Sequence, residues 1–286
     1  MSETAKKSDL IPRLITAIVG IPILLGIAFA GPNWAVWLVV ALAASAGAWE
    51  YVTMTLGGDR GVDGNAAVVA VFVTLAALYW CDASLPLVAT AFLSTVGLMA
   101  LVMLGLKDTS QAARRTGAVL GAYTYMSVLF GVYALLILDP AVPRTSTAPH
   151  QAGWFLLPMF IVWAGDTGAY FAGRALGRHK LAPMVSPGKT WEGAAGGVLA
   201  SVAGGYLALA VLPLPDIAWQ HVLIYAIPGA IIGQVGDLCE SMIKRATGYK
   251  DSGSIIYGHG GMLDRVDALI FAAPWIYIAR QLLGDG

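Results

Sequence analysis

The chain has 286 residues, of which 58% are hydrophobic and only 12% carry a charged side chain. Soluble domains contain roughly 25% charged residues, so this composition excludes an ordinary water-soluble protein and, with a mean hydropathy of +0.72, predicts an integral membrane protein. The 17 basic and 17 acidic residues cancel, so no overall field attracts nucleic acid, and we expect no nucleic-acid partner.

Nine apolar segments follow one another along the chain, separated by clusters of Gly, Pro and charged residues. A helix that crosses a membrane needs about 20 predominantly apolar residues. The segments are too long and too evenly apolar for the strands of a barrel. We therefore predict an all-α, polytopic bundle of about nine transmembrane helices, with segments at 13–30, 33–56, 65–80, 85–106, 116–138, 152–173, 192–213, 219–242 and 266–284.

The basic residues predict how the bundle is oriented. With the N-terminus in the cytoplasm, 15 of the 17 Lys and Arg residues fall on the cytoplasmic side, and only Arg144 and Arg280 fall on the other. Cytoplasmic loops are enriched in Lys and Arg, so this split favours that orientation and the nine-segment count. The first segment follows a basic stretch without a clear cleavage site, so we expect a retained helix rather than a signal peptide.

Glu50 and Asp166 are acids inside apolar segments. Ionisable residues at membrane depth are costly and usually face a bundle interior or a wet cavity. A structural and a functional role are equally open for Glu50, and a packing hydrogen bond is the alternative for Asp166. The loop after Asp166 is strongly basic, and Arg178 and Lys180 in it are expected to contact anionic lipid headgroups instead of a substrate. The basic residues of this loop are Arg174, Arg178, His179, Lys180 and Lys189.

The motif SPGKTWEG contains the GKT that ends a phosphate-binding P-loop. A P-loop also needs a glycine at the position of Pro183 and a strand before it, and neither is present in the pattern. The chain is therefore not a P-loop ATPase. Ser186 and Pro187 instead predict the start of a helix. Lys189 and Thr190 would lie in its first turn, where N–H groups and side chains can hold a phosphate.

The eighth segment ends in GQVGDLCESMIKR, which places four polar residues at helical spacing on one face: Asp237, Glu240, Ser241 and Lys244. One interpretation is a solvated helix end with an intrahelical Glu240–Lys244 pair. Asp237 lies deeper in the apolar segment, so a functional role is favoured for it.

The ninth segment opens with Asp264 and Asp267, which share a helix face. The helix dipole alone also favours acids at this position. The preceding turn GHGG would let backbone N–H groups approach an anion, and His259 could donate a hydrogen bond to phosphate. Carboxylates beside such a turn and several Lys and Arg predict a magnesium–phosphate site, because Mg²⁺ binds one or two carboxylates, substrate phosphates and water.

The stretch SMIKRATGYKDSGSIIYGHGGMLDRVD, residues 241–267, resembles the signature of the phosphatidate cytidylyltransferases, or CDP-diacylglycerol synthases. One position departs, since Tyr257 stands where the family usually has Pro. Residues 165–193 are similar to the family's second conserved block, with Gly188 where a Lys is common. The signature positions that match are Ser241, Ile243, Lys244, Arg245, Lys250, Asp251, Gly253, Ile256, His259, Gly260, Gly261, Met262, Asp264, Arg265, Val266 and Asp267.

The resemblance implies an enzyme that transfers a cytidylyl group from CTP to phosphatidic acid, giving CDP-diacylglycerol and pyrophosphate for phospholipid biosynthesis. It also implies a requirement for Mg²⁺, a second, monovalent cation and a homodimer. The expected location is the bacterial inner membrane, with the active site on the cytoplasmic side. Residues 1–140 would then form an N-terminal group of about five helices. Residues 150–286 would form the catalytic region of about four helices, with cytoplasmic loops 174–191 and 243–265.

Roles for individual residues follow as hypotheses. Asp237 and Asp264 are the first candidates for metal ligands, and Asp166, Asp251 and Asp267 are the alternatives. The candidate catalytic residues are Asp237, Asp264, Asp267, Lys244, Arg245 and Lys250. The candidate residues for binding the substrate phosphates are Ser186, Lys189, Thr190, His259, Gly260, Gly261 and Arg265.

Two other functions are weighed against this one. A CTP-dependent membrane kinase acting on polyprenol or diacylglycerol would produce a phospholipid and CDP instead of a CDP-lipid and pyrophosphate. A secondary transporter would be expected to show internal repeats and a site near the membrane midplane. This sequence shows no repeat, and its charges gather on one side.

Overall fold

The computed structural model describes residues 3–81, 84–137, 149–215, 217–258 and 260–285. In this part of the chain the helices are α1 (Glu3–Ala30), α2 (Asn33–Thr55), α3 (Gly61–Trp80), α4 (Ser84–Gly105), α5 (Ala112–Tyr123), α6 (Gly131–Leu136), α7 (Pro149–Leu176), α8 (Trp191–Val211), α9 (His221–Ala246) and α10 (Leu263–Leu283). A 3₁₀ turn (Thr109–Gln111) precedes α5, a π-helical turn (Thr124–Leu129) joins α5 to α6, and two short strands, β1 (Lys180–Ala182) and β2 (Ser186–Thr190), lie between α7 and α8.

Each of the nine predicted segments coincides with a helix or with a continuous helical run. Within the described residues, eight helical stretches are long and apolar enough to cross a membrane. The first segment contributes a shorter apolar stretch, Ile18–Ala30. The predicted helical bundle is confirmed, and the chain is an integral membrane protein. The predicted boundary between its two regions falls largely on residues 138–148, which lie outside the described residues.

The fifth predicted segment is one run of helix in which the backbone hydrogen bonding changes. Between α5 and α6 the chain makes a π-helical turn over Thr124–Leu129. This turn places Tyr125 between two other elements, with its ring 5.9 Å from that of Tyr51 in α2 and 5.7 Å from that of Phe271 in α10. The aromatic contacts therefore join the N-terminal helices to the last helix of the chain.

The loop after α7 departs from the prediction, because Ser186 and Pro187 do not begin a helix. Residues 186–190 form β2, which pairs antiparallel with β1. The helix α8 begins at Trp191, and the Thr190 hydroxyl caps it by accepting a hydrogen bond from the Gly193 N–H at 3.1 Å. A Pro with a fixed φ is compatible with the edge of a small sheet as well as with a first helical turn.

Helices α7 and α8 pack closely because small residues line their contact. A side chain on Gly168 would meet Ala200, and its β-carbon would lie 2.9 Å from the Gly196 carbonyl oxygen. Small residues allow helix backbones to approach in membranes, where van der Waals packing replaces the hydrophobic effect. This contact holds Asp166 of α7 at a fixed distance from the helices that follow.

A buried arginine joins three elements near the C-terminal end of α10. The Arg280 guanidinium donates hydrogen bonds to the Leu136 carbonyl oxygen at 2.8 Å and to the Asp285 carbonyl oxygen at 2.9 Å. It also lies 4.4 Å from the centre of the Trp154 ring. The positive charge thus has carbonyl and aromatic partners, as a buried cation requires. The N-terminal end of the same helix carries the candidate site.

Candidate active site

The predicted polar face of α9 is confirmed, and it points into the protein. Glu240, Ser241 and Lys244 are buried, and the Asp237 side chain is 29% exposed. Lys244 Nζ lies 2.6 Å from Glu240 Oε2, which confirms the intrahelical pair. The pair is not part of a solvated helix end, however, because the Glu240 side chain is only 1% exposed.

Lys244 also joins the end of α9 to the start of α10. Its Nζ lies 2.6 Å from Asp264 Oδ1 as well as from Glu240, so one ammonium group contacts two carboxylates. Charged groups removed from water are stable only when they are paired and hydrogen-bonded. The two helix ends therefore meet at a buried cluster of one lysine and two carboxyl groups.

Asp264 is held by the glycine-rich turn that precedes α10. Its Oδ2 accepts hydrogen bonds from the Ser252 N–H at 2.9 Å and from the Gly261 N–H at 3.0 Å. Its Oδ1 contacts Lys244, and the Glu240 side chain is a further hydrogen-bonding partner of this carboxylate. The turn itself is closed by a hydrogen bond from the Ile256 N–H to the Gly260 carbonyl oxygen at 3.0 Å. Asp264 is therefore held by partners from both the turn and α9.

Gly261 has no room for a side chain in this turn. An added β-carbon would lie 2.6 Å from Glu50 Oε2 and 2.7 Å from the Gly253 nitrogen. We expect Gly261→Ala to lower the stability of the folded protein by about 1–3 kcal/mol, as overpacking does, and to reduce activity by displacing Asp264.

The measurement for Gly261→Ala is the midpoint of thermal unfolding in detergent. Gly117→Ala is the matched control, because nothing lies within 4 Å of the β-carbon at that position. Equal midpoints for the two variants would contradict the prediction.

A second ion pair joins the β1–β2 hairpin, residues 180–190, to α9. Lys189 in β2 places its Nζ 2.5 Å from Asp237 Oδ2, and both side chains are partly exposed. The other oxygen, Asp237 Oδ1, accepts a longer hydrogen bond from the Ser241 hydroxyl at 3.4 Å. β2 thus brings a predicted phosphate-binding lysine to a predicted metal-binding carboxylate.

Two further carboxylates, from α7 and α10, lie near this ion pair. Asp237 of α9, Asp166 of α7 and Asp267 of α10 are close enough to interact electrostatically, and Lys189 and Arg265 lie within the same range of Asp166. Among the described residues, no group of three or more His, Cys, Asp or Glu side chains is arranged to hold a metal ion alone. Mg²⁺ is usually held with a nucleotide by one or two carboxylates, with phosphates and water completing its coordination.

The remaining predicted residues lie around this centre. Arg245, Lys250 and Asp251 are exposed, and the Arg245 guanidinium donates to the Tyr249 carbonyl oxygen at 3.2 Å. Arg265 is also exposed and lines a cavity beside α1. Ser186 lies at the start of β2. His259 lies outside the described residues.

Three residues that hold the site were not among the predicted site residues. Glu50 and Ser252 contact the turn before α10. Glu192 fixes the hairpin, since its carboxylate accepts hydrogen bonds from the Arg178 and His179 N–H groups at 3.0 and 3.2 Å. Glu50 had a sequence signal as an acid in an apolar segment, whereas Ser252 occupies a variable position of the signature and had none.

Comparison with known proteins gives matches along most of the chain. The sequence profile of the cytidylyltransferase family matches residues 11–283. A phosphatidate cytidylyltransferase of Pseudomonas aeruginosa is 36% identical over 262 residues, which are 92% of this chain and 93% of that protein.

Two other relatives match over a shorter region. The phosphatidate cytidylyltransferase of Brucella suis is 52% identical over 125 residues, 44% of this chain and 46% of that protein. That of Bacillus subtilis is 44% identical over 124 residues, 43% of this chain and 45% of that protein. In these two comparisons the match spans about half the length of the relative.

Proposed function

Since this chain belongs to the cytidylyltransferase family, we propose that it transfers a cytidylyl group from CTP to phosphatidic acid and releases pyrophosphate. The match to the Pseudomonas aeruginosa phosphatidate cytidylyltransferase over 92% of the chain carries the proposal. The arrangement of lysines and carboxylates at one end of a membrane bundle supports it, since the reaction joins a lipid to a polyanion.

The chemistry asks for positioning more than for proton transfer. A phosphate oxygen of phosphatidic acid attacks the α-phosphorus of CTP, and the bond between that phosphorus and the oxygen bridging to the β-phosphate breaks. The lipid phosphate is already an anion near neutral pH, so no strong general base is needed. The barrier lies in bringing two anions together and in stabilising the charge on the leaving pyrophosphate.

Lys189 is the residue we propose to contact the triphosphate first. Its side chain is 28% exposed in the ion pair with Asp237, so a phosphate can reach its ammonium group and compete for it. Ser186 and Thr190 lie in β2 with Lys189 and would add hydroxyl donors. Gly260 and His259 would add donors from the turn before α10, whereas the Gly261 N–H already donates to Asp264. Arg245 and Lys250 are exposed and would contact the nucleotide from outside.

Asp237 is the residue we propose to hold Mg²⁺, with Asp264 as its partner and Asp166, Asp267 or Asp251 as alternatives. The support is the pair of carboxylates on α7 and α10, Asp166 and Asp267, that interact electrostatically with Asp237. Bound Mg²⁺ would neutralise phosphate charge and align the two substrates. A second, monovalent cation and a homodimer are proposed on the resemblance alone.

A cavity of about 430 Å³ is the route we propose for the lipid. Residues of α1, mostly apolar, form one wall of the cavity, and residues of α7, including Asp166, form the other. Arg265 of α10 also lines the cavity. Thr16 ties α1 to the glycine-rich turn by donating to the Tyr257 carbonyl oxygen at 2.6 Å. Acyl chains would lie against α1 while Arg265 contacts the lipid phosphate. Thr16 contacts the backbone carbonyl of residue 257, which Tyr and Pro both have. The replacement of the family's usual Pro by Tyr257 therefore does not remove this hydrogen bond.

Filling this cavity is expected to raise the KM for phosphatidic acid by about tenfold and leave the KM for CTP nearly unchanged. Gly20 lines the cavity and its β-carbon position is open, so Gly20→Trp places a ring where an acyl chain would lie. Gly26→Trp is the matched control, since Gly26 is open too and does not line the cavity. Equal KM values for phosphatidic acid in the two variants would contradict the proposed route.

The test of the function uses CTP labelled at two positions. Purified protein is incubated with phosphatidic acid, Mg²⁺ and CTP carrying ³²P at the α- or the γ-phosphate. Cytidylyl transfer moves only the α-label into lipid and releases the γ-label in pyrophosphate. A lipid kinase, tested with diacylglycerol or polyprenol, would move only the γ-label into lipid, which would overturn the proposal, as would a lack of any labelled lipid.

The side of the membrane on which this occurs is also a proposal. The excess of Lys and Arg on the predicted cytoplasmic loops supports a cytoplasmic site in the bacterial inner membrane. Nucleotides are present on that side, as the reaction requires.

A further inference from the structure

A fully buried carboxylate from the N-terminal half lies beneath the first turn of α10. Glu50 in α2 is 0% exposed. Its Oε1 accepts a hydrogen bond from the Met262 N–H at 3.0 Å, and its Oε2 accepts one from the Leu263 N–H at 2.8 Å. The Ser252 hydroxyl donates a third hydrogen bond to Oε2 at 2.9 Å. More than 200 residues of chain separate Glu50 from these partners.

This carboxylate replaces a cap that α10 lacks. The first N–H groups of a helix have no partner within the helix, and a nearby side chain usually accepts their hydrogen bonds. The residue at the cap position is Met262, whose side chain makes no such bond. A negative charge at this point is also favoured by the helix dipole. Glu50 therefore supplies from another helix what the local sequence does not.

Ser252 connects Glu50 to Asp264. The Ser252 hydroxyl donates to Glu50 and accepts a hydrogen bond from the Asp264 N–H at 3.3 Å, and the Ser252 N–H donates to Asp264 Oδ2 at 2.9 Å. Because a hydroxyl has a single proton, its donation to Glu50 leaves its lone pairs for Asp264. A continuous series of contacts thus runs from Glu50 through Ser252 and Asp264 to Lys244.

The backbone around Glu50 is shaped to admit it. A β-carbon on Gly253 would lie 2.8 Å from the Glu50 carboxyl carbon, and one on Gly261 would lie 2.6 Å from its Oε2. Both glycines are therefore needed for the carboxylate to reach the N–H groups behind them.

We propose that Glu50 is a positioning residue for the active site: it fixes Ser252, Met262 and Leu263 and thereby sets the carboxylate of Asp264 against Lys244. This positioning role requires a side chain that only accepts hydrogen bonds, because both carboxylate oxygens of Glu50 face N–H or O–H donors. In Glu50→Gln an NH₂ group must point at one of those donors. The kinetic part of this inference rests on the proposed function, whereas the structural part does not.

The first test is amide hydrogen exchange of the full-length protein in detergent. Glu50→Gln is expected to speed exchange in peptides covering 252–263 by at least about tenfold. Asp63→Asn is the matched control, because Asp63 is also a buried acid of the N-terminal half, paired with Arg115 at 2.7 Å and remote from the turn. Unchanged exchange over 252–263 in Glu50→Gln, or equal acceleration in Asp63→Asn, would overturn the proposal whether or not the protein makes CDP-diacylglycerol.

The second test separates positioning from a loss of stability. Partners that orient a functional group typically contribute about 10–100-fold to activity, so we expect Glu50→Gln to lower kcat by about that factor. Asp63→Asn should retain kcat at a similar unfolding midpoint. The milder Ser252→Ala interrupts the same series of contacts, so its effect on kcat should not add to that of Glu50→Gln. If the effects of Glu50→Gln and Ser252→Ala on kcat were additive, or if Glu50→Gln and Asp63→Asn had equal kcat, Glu50 would have only a structural role and the proposal would be overturned.

Discussion

Replacement of Asp237 by asparagine is expected to lower the kcat for CDP-diacylglycerol formation by about 100- to 1,000-fold, the usual cost of removing one group that stabilises transition-state charge. Asparagine keeps the size of the side chain and removes its charge. Asp237 is the carboxylate that contacts Lys189 at 2.5 Å and interacts with Asp166 and Asp267. Without this carboxylate, the proposed Mg²⁺ would lose a ligand, and Lys189, the proposed triphosphate contact, would lose its ion-pair partner.

The Asp237→Asn measurement is made at saturating Mg²⁺ and CTP. The unfolding midpoint should change little, because a pair as exposed as Asp237–Lys189 contributes only about 0–1 kcal/mol. Asp59→Asn is a suitable control, since Asp59 also pairs with a basic residue, Arg115, at 3.3 Å and lies outside the site. Full turnover of Asp237→Asn under these conditions would contradict the metal assignment.

Replacement of Lys244 by methionine is expected to cost about 3–5 kcal/mol of folding free energy, because removing one partner of a buried ion pair leaves an uncompensated charge. Here two carboxylates lose their cation. Glu240 is 1% exposed and Asp264 is 12% exposed, so water cannot replace the lysine. Activity should also be lost, since Asp264 would no longer be held between α9 and α10.

The free energy is measured by denaturant titration in mixed micelles, with Arg245→Met as the control for stability. Arg245 adjoins Lys244 in sequence, but it is exposed and, within the described part of the chain, donates to the Tyr249 carbonyl oxygen. Adding Glu240→Leu to Lys244→Met should restore part of the stability, because one of the two orphaned charges is removed. Equal stability of Lys244→Met and Arg245→Met would refute the explanation.

The membrane-spanning helices were predictable from sequence, since each depends mainly on its own composition. Within a bilayer a segment must satisfy its backbone hydrogen bonds internally, so an apolar run of sufficient length becomes a helix whatever its neighbours are. The polar face of α9 was predictable for a related reason. The spacing of Asp237, Glu240, Ser241 and Lys244 follows from helix geometry alone. The last three are buried, and Asp237 is partly exposed.

The hairpin before α8 could not be predicted by this local reasoning. Ser186 and Pro187 are compatible with a helix start, and the competing strand is stabilised by partners that lie elsewhere. These partners are β1 and the Glu192 carboxylate, which binds the N–H groups of Arg178 and His179. Only when these contacts form does the segment take the extended conformation that brings Lys189 to Asp237.

The sequence by itself therefore determined the helical bundle, the family resemblance and most of the residues gathered at the candidate site. The tertiary structure alone decided which of those residues are paired: Lys189 with Asp237, Lys244 with Asp264, and Glu50 with the first turn of α10. The physical reason is the separation along the chain of the residues that interact. Helix formation and amphipathic spacing act over a few residues, whereas these contacts join groups from about 20 to more than 200 residues apart, and they exist only because the packing of several helices brings their ends together.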